Sequence, residues 1–127
     1  MTDAYVESAE SRALEPVPNT RGAHKAVLIG EEDGALNFAE RRFVLEPGGR
    51  IPAHRHPDIE HEQYVLRGEM KLELDGETVT ASAGDAVFIP ATTVHAYENE
   101  GDQPVEFLCT VPITEDYETE WLEELEA

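Results

Sequence analysis

The chain has 127 residues, 40% of them hydrophobic, and sets 28 acidic residues against nine Lys plus Arg for a net charge of −19. That length suits one domain with a core of its own. The charge argues against nucleic acid and anionic membrane as partners, no apolar run approaches a membrane span, and the single Cys109 excludes an internal disulfide.

A soluble cytoplasmic protein is the resulting expectation. Only Lys25 and Lys71 are lysines, so the surface is acid-rich and lysine-poor. Self-repulsion among so many acids destabilises a compact state at low ionic strength, and salt screens it. The composition therefore predicts a halophilic acidic protein; it speaks to solvent conditions rather than to catalysis.

Residues 1–21 are polar, carry Pro16, Pro18 and Asn19, and show no clean period, which predicts an extended N-terminal arm. Strands begin at Ala23 with AHKAVLIG, followed by a turn at Glu32-Asp33-Gly34. ALNFAERRFVLEP follows, with Arg41, Phe43 and Leu45 on one face, and Pro47-Gly48-Gly49 is expected to close it. HEQYVLRG is a further strand. EMKLELDGETVTA is a hairpin, with Met70, Leu72 and Leu74 alternating against Lys71 and Glu73 about an Asp75-Gly76 turn. AVFIP, a strand carrying His95, Tyr97 and Asn99 on one face, and PVEFLCTVP complete the series. In the last, Phe107 and Cys109 oppose Leu108 and Thr110. Short strands at this spacing predict an all-β antiparallel sandwich or barrel. The tail EDYETEWLEELEA, with Trp121, Leu122 and Leu125 among acids, is expected to form a short helix capping the barrel or a dimer contact.

Within this frame lies GGRIPAHRHPDIEHEQYVLRG, residues 48–68, with three of the five histidines. His54 and His56 are two apart, so one strand aims both rings at one point. A turn at Pro57-Asp58 brings His61 back beside them, with Gln63 and Val65 on its face. His95 supplies a fourth imidazole. Neutral imidazole is the commonest protein metal ligand, and four in matching frames predict one metal site. His24 lies outside the frame and is expected to be an ordinary surface or strand-end residue. Glu60 and Glu62 flank His61 and are expected to be second to the histidines, accepting a ring N–H or facing solvent.

Two spacings carry a resemblance. Gly48, His54, His56, His61 and Gly68 follow the first cupin motif, with His61 where many members have glutamate; Gly84, Pro90, His95 and Asn99 follow the second, with Thr92 replacing a usual glycine. Over residues 22–112 the chain resembles the small single-domain cupins with a four-histidine site. The resemblance implies a jelly-roll β-barrel for 22–112, between an arm at 1–21 and a tail at 113–127. It also implies one divalent ion, manganese first, with iron, copper, nickel or zinc as alternatives that imidazole equally suits. Arg41, Phe107 and Cys109 stand at positions that line the family's pocket, and a homodimer is expected.

Four neutral imidazoles leave the ion's double charge in place, which makes it a strong Lewis acid and anion binder. The leading functional expectation is a metal-dependent oxidoreductase of dioxygenase type acting on a small apolar or phenolic substrate. The competing expectations are a metal-assisted isomerase or lyase on a sugar or keto acid, and a binding module without turnover. The absence of a strong general base mildly favours the first.

Overall fold

The structure is a computed structural model of the chain and describes residues 3–125. It contains β1 (Glu15–Pro16), β2 (Arg21–Ile29), β3 (Phe38–Arg55), β4 (His61–Arg67), β5 (Glu69–Leu74), β6 (Glu77–Ser82), β7 (Ala86–Ile89), β8 (His95–Glu98), β9 (Val105–Pro112) and β10 (Glu120–Trp121), with 3-10 turns at Ala9–Ser11 and Glu31–Asp33. The strands run in the order β6-β5-β8-β3-β9-β4-β7, all paired antiparallel, with β2 and β10 also joined to β3 and β1 to β2. This is the nearly closed, all-β antiparallel barrel that the strand pattern predicts. Among the described residues no helix is long and apolar enough to cross a membrane.

The alternation read from the sequence decides what lies inside. In β4, His61, Gln63 and Val65 are buried while Glu62, Tyr64 and Leu66 face out. In β9, Val105, Phe107, Cys109 and Val111 point inward and join Leu45, Ile51, Met70, Leu72 and Ile89 in the core. The predicted hairpin forms with Leu72 opposite Val79, and Asp75 (φ 48) and Gly76 (φ 86) make the two-residue turn with positive φ at both positions.

Two expectations are corrected. Pro47-Gly48-Gly49 does not close a strand: β3 runs on through it for 18 residues and bends there. Gly48 adopts φ 79, and Gly49 packs so tightly that an added Cβ would lie 2.7 Å from Leu45 Cδ1 and from the Glu46 oxygen. Across the bend the β2 pairing slips, from Ala23 opposite Leu45 to Arg21 opposite Arg50. One strand thereby serves β9 with its first half and β8 with its second, and Asn99 pins the corner through bonds from Nδ2 to the Leu45 (3.0 Å) and Gln103 (2.8 Å) carbonyls.

The second correction concerns the tail, which holds no helix among the described residues. Glu120 and Trp121 form β10 against Arg55 and His54. Helix formation would set Glu120 and Glu124 one turn apart as like charges. The extended form instead pairs Arg55 with Glu120 (2.8 Å) and Arg50 with Glu123 (2.6 Å), and packs Trp121 on the core. Glu126 and Ala127 of the expected tail, and Met1 and Thr2 of the arm, lie outside the described residues. The arm is largely extended, interrupted by its 3-10 turn, and is tied down by Arg12, which bonds Asp33 (2.7 Å) and Glu7 (3.2 Å).

Candidate metal centre

The long strand β3 ends at Arg55, so His54 sits in the last rung that it shares with β8 and His56 just beyond the strand. His54 pairs directly with His95, the first residue of β8, and His61 opens β4. Local bonds fix these strand ends. The Val94 N–H donates to Asp75 Oδ1 and the Asp75 N–H to the Val94 carbonyl, both at 2.8 Å, which seats β8 at His95. The Thr92 N–H donates to the His56 carbonyl at 3.0 Å. Thr92 itself has φ 70, the left-handed conformation that glycine adopts freely and that costs a branched residue about 1–2 kcal/mol.

The four rings gather at one end of the barrel. His54 and His95 lie 4.1 Å apart between centroids, His56 and His61 4.8 Å, and His61 and His95 5.5 Å. His54, His56 and His95 each place a ligand nitrogen within 4.8 Å of the others, as a metal site requires; His61 adjoins this group without joining it at that distance. The orientation of the three is set by backbone acceptors. Nδ1 of His54 donates to the Pro52 carbonyl (2.7 Å), Nδ1 of His56 to that of Glu118 (2.9 Å) and Nδ1 of His95 to that of Thr93 (2.9 Å). With Nδ1 carrying the hydrogen, each Nε2 keeps a lone pair for an ion. Nδ1 of His61 instead meets Cys109 Sγ at 3.2 Å, and its buried Nε2 has no partner. Nitrogen donors held as neutral imidazole suit a divalent transition metal.

The flanking acids do not take part. Glu60 and Glu62 are exposed, because alternation along β4 turns Glu62 away from His61, and the Glu60 side chain bonded to Glu62 raises the latter's pKa. The expected role of accepting a ring N–H falls to main-chain carbonyls. His24 lies in β2, opposite Val44 and away from the cluster.

The rings open onto a cavity of about 100 Å³. Arg41, Phe107 and Cys109 line it. Phe43, Phe107 and Tyr97 form a stacked wall, with centroids 5.1 and 5.4 Å apart and planes within 4° and 15° of parallel. Sequence reasoning missed the other side. Tyr117 lies over His56 (5.0 Å), Trp121 over His54 (4.8 Å), and Thr119 Oγ1 reaches His56 Nδ1 (3.3 Å). No local signal marks these residues, since the tail's apolar spacing fits a helix as well as this contact.

Burial sets the protonation states. It lowers the His54 pKa to about 3, aided by His95; the His61 pKa to about 2, aided by the Arg41 guanidinium; and the His95 pKa to about 4. His56 is shifted down for the same first cause. All four are therefore held neutral where an unfolded chain still takes protons; His54, His56 and His95 present Nε2 as a free lone pair, whereas Nδ1 of His61 also faces the Arg41 Nη2 donor at 3.4 Å. Because the folded values lie below the ordinary 6.5, the unfolded state binds the extra protons, so stability is full above about pH 6.5 and falls as pH drops toward 4. Denaturant unfolding of metal-free protein at constant high salt should show uptake of about three to four protons near pH 5, with each proton steepening the loss by about 1.4 kcal/mol per pH unit. A stability flat between pH 7 and 5 would mean that the rings are not buried neutral.

The cupin domain family matches residues 41–111. The solved structure of the polyketide cyclase RemF from Streptomyces resistomycificus superposes with a TM-score of 0.87 at 31% identity, covering 97% of this chain and 88% of that one. The oxalate-binding protein of Thermotoga maritima is 33% identical over 117 residues, 87% of this chain and 94% of that protein. The polyketide synthase protein CurC of Streptomyces cyaneus is 35% identical over 77 residues, 61% of this chain; the chain spans only about half the length of that relative, 47%. Spacing, barrel and converging histidines thus agree with the family match, and the chain belongs to the cupin superfamily.

Proposed function

We propose that the chain is a metal-dependent enzyme that activates a carbonyl of a small, enolisable, oxygen-rich substrate for cyclisation or isomerisation. The observation that carries this reading is the set of three imidazoles whose Nδ1–H groups are fixed on carbonyls, with three Nε2 atoms facing an aromatic cavity. His54, His56 and His95 would hold the ion and His61 would complete the set, manganese or another divalent transition metal being the occupant. Bound there, the ion supplies Lewis acidity undiminished by any ligand carboxylate. The stacked wall of Phe43, Phe107 and Tyr97 packs a planar substrate and excludes water. The likeness to RemF, named a polyketide cyclase, extends over nearly the whole of both chains and moves the weight from redox to carbonyl chemistry.

A dioxygenase-like oxidoreductase is the second reading, favoured by the aromatic wall of the cavity beside a coordination site that the histidines would leave open. One experiment separates them. Heptane-2,4,6-trione, which closes with loss of water to orcinol, is incubated with protein of measured metal content, with and without oxygen. Cyclisation faster than the metal-free control and indifferent to oxygen supports the proposal. Oxygen uptake with an oxidised product establishes the second reading. Binding without any product, as the oxalate-binding relative's name would suggest, overturns both.

A further inference from the structure

Three buried side-chain atoms lack a hydrogen-bond partner among the described residues: Arg41 Nε, His61 Nε2 and Gln63 Oε1. All three belong to residues that line the one histidine cavity. Such atoms cost free energy unless something meets them, and their confinement to one place points to a ligand rather than to scattered imperfection. A metal ion held by the neighbouring histidines would meet His61 Nε2 if His61 completes the set. That ion does not account for Arg41.

Arg41 is only 7% exposed, and its guanidinium stays charged, because Cys109 and Tyr117 outweigh the lowering effect of burial. Its Nη1 donates to the Tyr117 hydroxyl (3.1 Å) and its Nη2 to Cys109 Sγ (3.1 Å), while its carbon lies 5.1 Å from the Phe43 ring centre and 5.6 Å from that of Tyr117. No carboxylate bonds it among the described residues. A buried cation without an anion is unfavourable in the empty protein. Lys25 lines the same cavity, and burial, then Arg41, lowers its pKa. The chain carries 28 acidic residues, yet none of the described ones lines this cavity, where two of its nine basic residues meet. Six of the other basic residues, Arg12, Arg42, Arg50, Arg55, Arg67 and Lys71, face carboxylates, and Arg21 is exposed to solvent.

We propose that Arg41 and Lys25 form an anion-recognition subsite beside the histidines, and that the ligand is a planar conjugated monoanion, a carboxylate or an enolate. This deepens the reading above by naming the substrate class, and rests on it for the ligand's place beside the metal. The anionic oxygens meet the guanidinium, the conjugated body lies along Phe43, Phe107 and Tyr97, and Gln63 Oε1 is left to accept from a ligand hydroxyl. Arg41 is the recognition residue; Lys25, half-buried, adds field.

The test is calorimetric titration of the full chain with benzoate, and with benzyl alcohol as its neutral counterpart, in metal-free and metal-loaded protein. Wild type should bind benzoate in both forms and discriminate against the alcohol. Arg41→Gln should lower benzoate affinity by about 10- to 100-fold, as loss of a buried charge-assisted contact does, while binding one metal ion as before. Lys25→Met should give a smaller loss. Salt supplies an arm that needs no variant: the acidic exterior repels the anion, so added potassium chloride should leave affinity unchanged or raise it, whereas an exposed cation patch would lose affinity steeply. Unchanged benzoate affinity in a folded Arg41→Gln protein overturns the subsite, as does failure of wild type to prefer benzoate, or a steep fall with salt. Benzoate binding retained in wild type that takes up no metal would instead sink the metal reading and leave the subsite standing.

Discussion

His95→Gln is expected to cost the protein its metal, with affinity falling by more than about 100-fold, since loss of a ligand should exceed the 10- to 100-fold cost of disturbing a ligand's supporting bond. His95 is 2% exposed, faces His54 across the ladder, and is seated by the paired Asp75–Val94 bonds and by the Thr93 carbonyl. Glutamine matches its size and polarity but offers no ring nitrogen with a lone pair at the Nε2 position. His24→Gln is the internal control, because that residue lies in β2 outside the cluster. Elemental analysis and chelator competition read both variants. Equal metal content in the two would mean that the histidines gather without binding an ion. His61→Gln tests the fourth position separately, and a weaker effect than at His95 is expected, because His61 stands outside the 4.8 Å group and its Nδ1 rests on a sulfur rather than a carbonyl.

The contrast between these two histidines shows what the sequence can and cannot tell. Period-two alternation and a turn suffice to put His54, His56, His61 and His95 in one place, and the structure puts them there. The same alternation also fixes Arg41 and Phe107 inside and turns Glu62 out, although proximity in sequence suggested Glu60 and Glu62 as partners for the rings. What holds Nδ1 of His54, His56 and His95 is a carbonyl of the main chain, and no residue type announces a carbonyl. The bend at Gly48 was misread for a related reason. Pro-Gly-Gly reads as a stop, yet in a rolled sheet it is how one strand leaves β9 and joins β8 without breaking. The tail was misread because its apolar spacing fits a helix and its true partners, Arg50, Arg55, His54 and His56, are more than 60 residues away in sequence.

Truncation after Thr114 is expected to leave a folded barrel with a crippled site. In the tail, β10 adds two rungs to the end of β3 and Trp121 packs on the core, while the ladders among β3, β4, β5, β8 and β9 form without it. Removing the tail uncovers the contacts of Tyr117 and Trp121, and full burial of a large side chain is worth about 1.5–3 kcal/mol, so a loss of about 2–3 kcal/mol is expected for two partly buried ones. The functional loss should be larger than this stability change implies. Glu118 supplies the carbonyl that holds His56 Nδ1, Tyr117 bonds Arg41, and Trp121 roofs His54. Metal affinity should drop by about 10- to 100-fold through the freed His56 ring. The family match ends at residue 111, so this side of the cavity is built by residues that follow the matched stretch. The tail is therefore expected to shape ligand selectivity as well as to seat the His56 ring. Trp121→Ala in the full chain separates the two: it keeps the Glu118 carbonyl in place, so metal content should hold while preference among planar anions relaxes. Equal loss of metal in Trp121→Ala and in the truncation would show that the tail serves only as a structural cover, and that selectivity is set within the barrel.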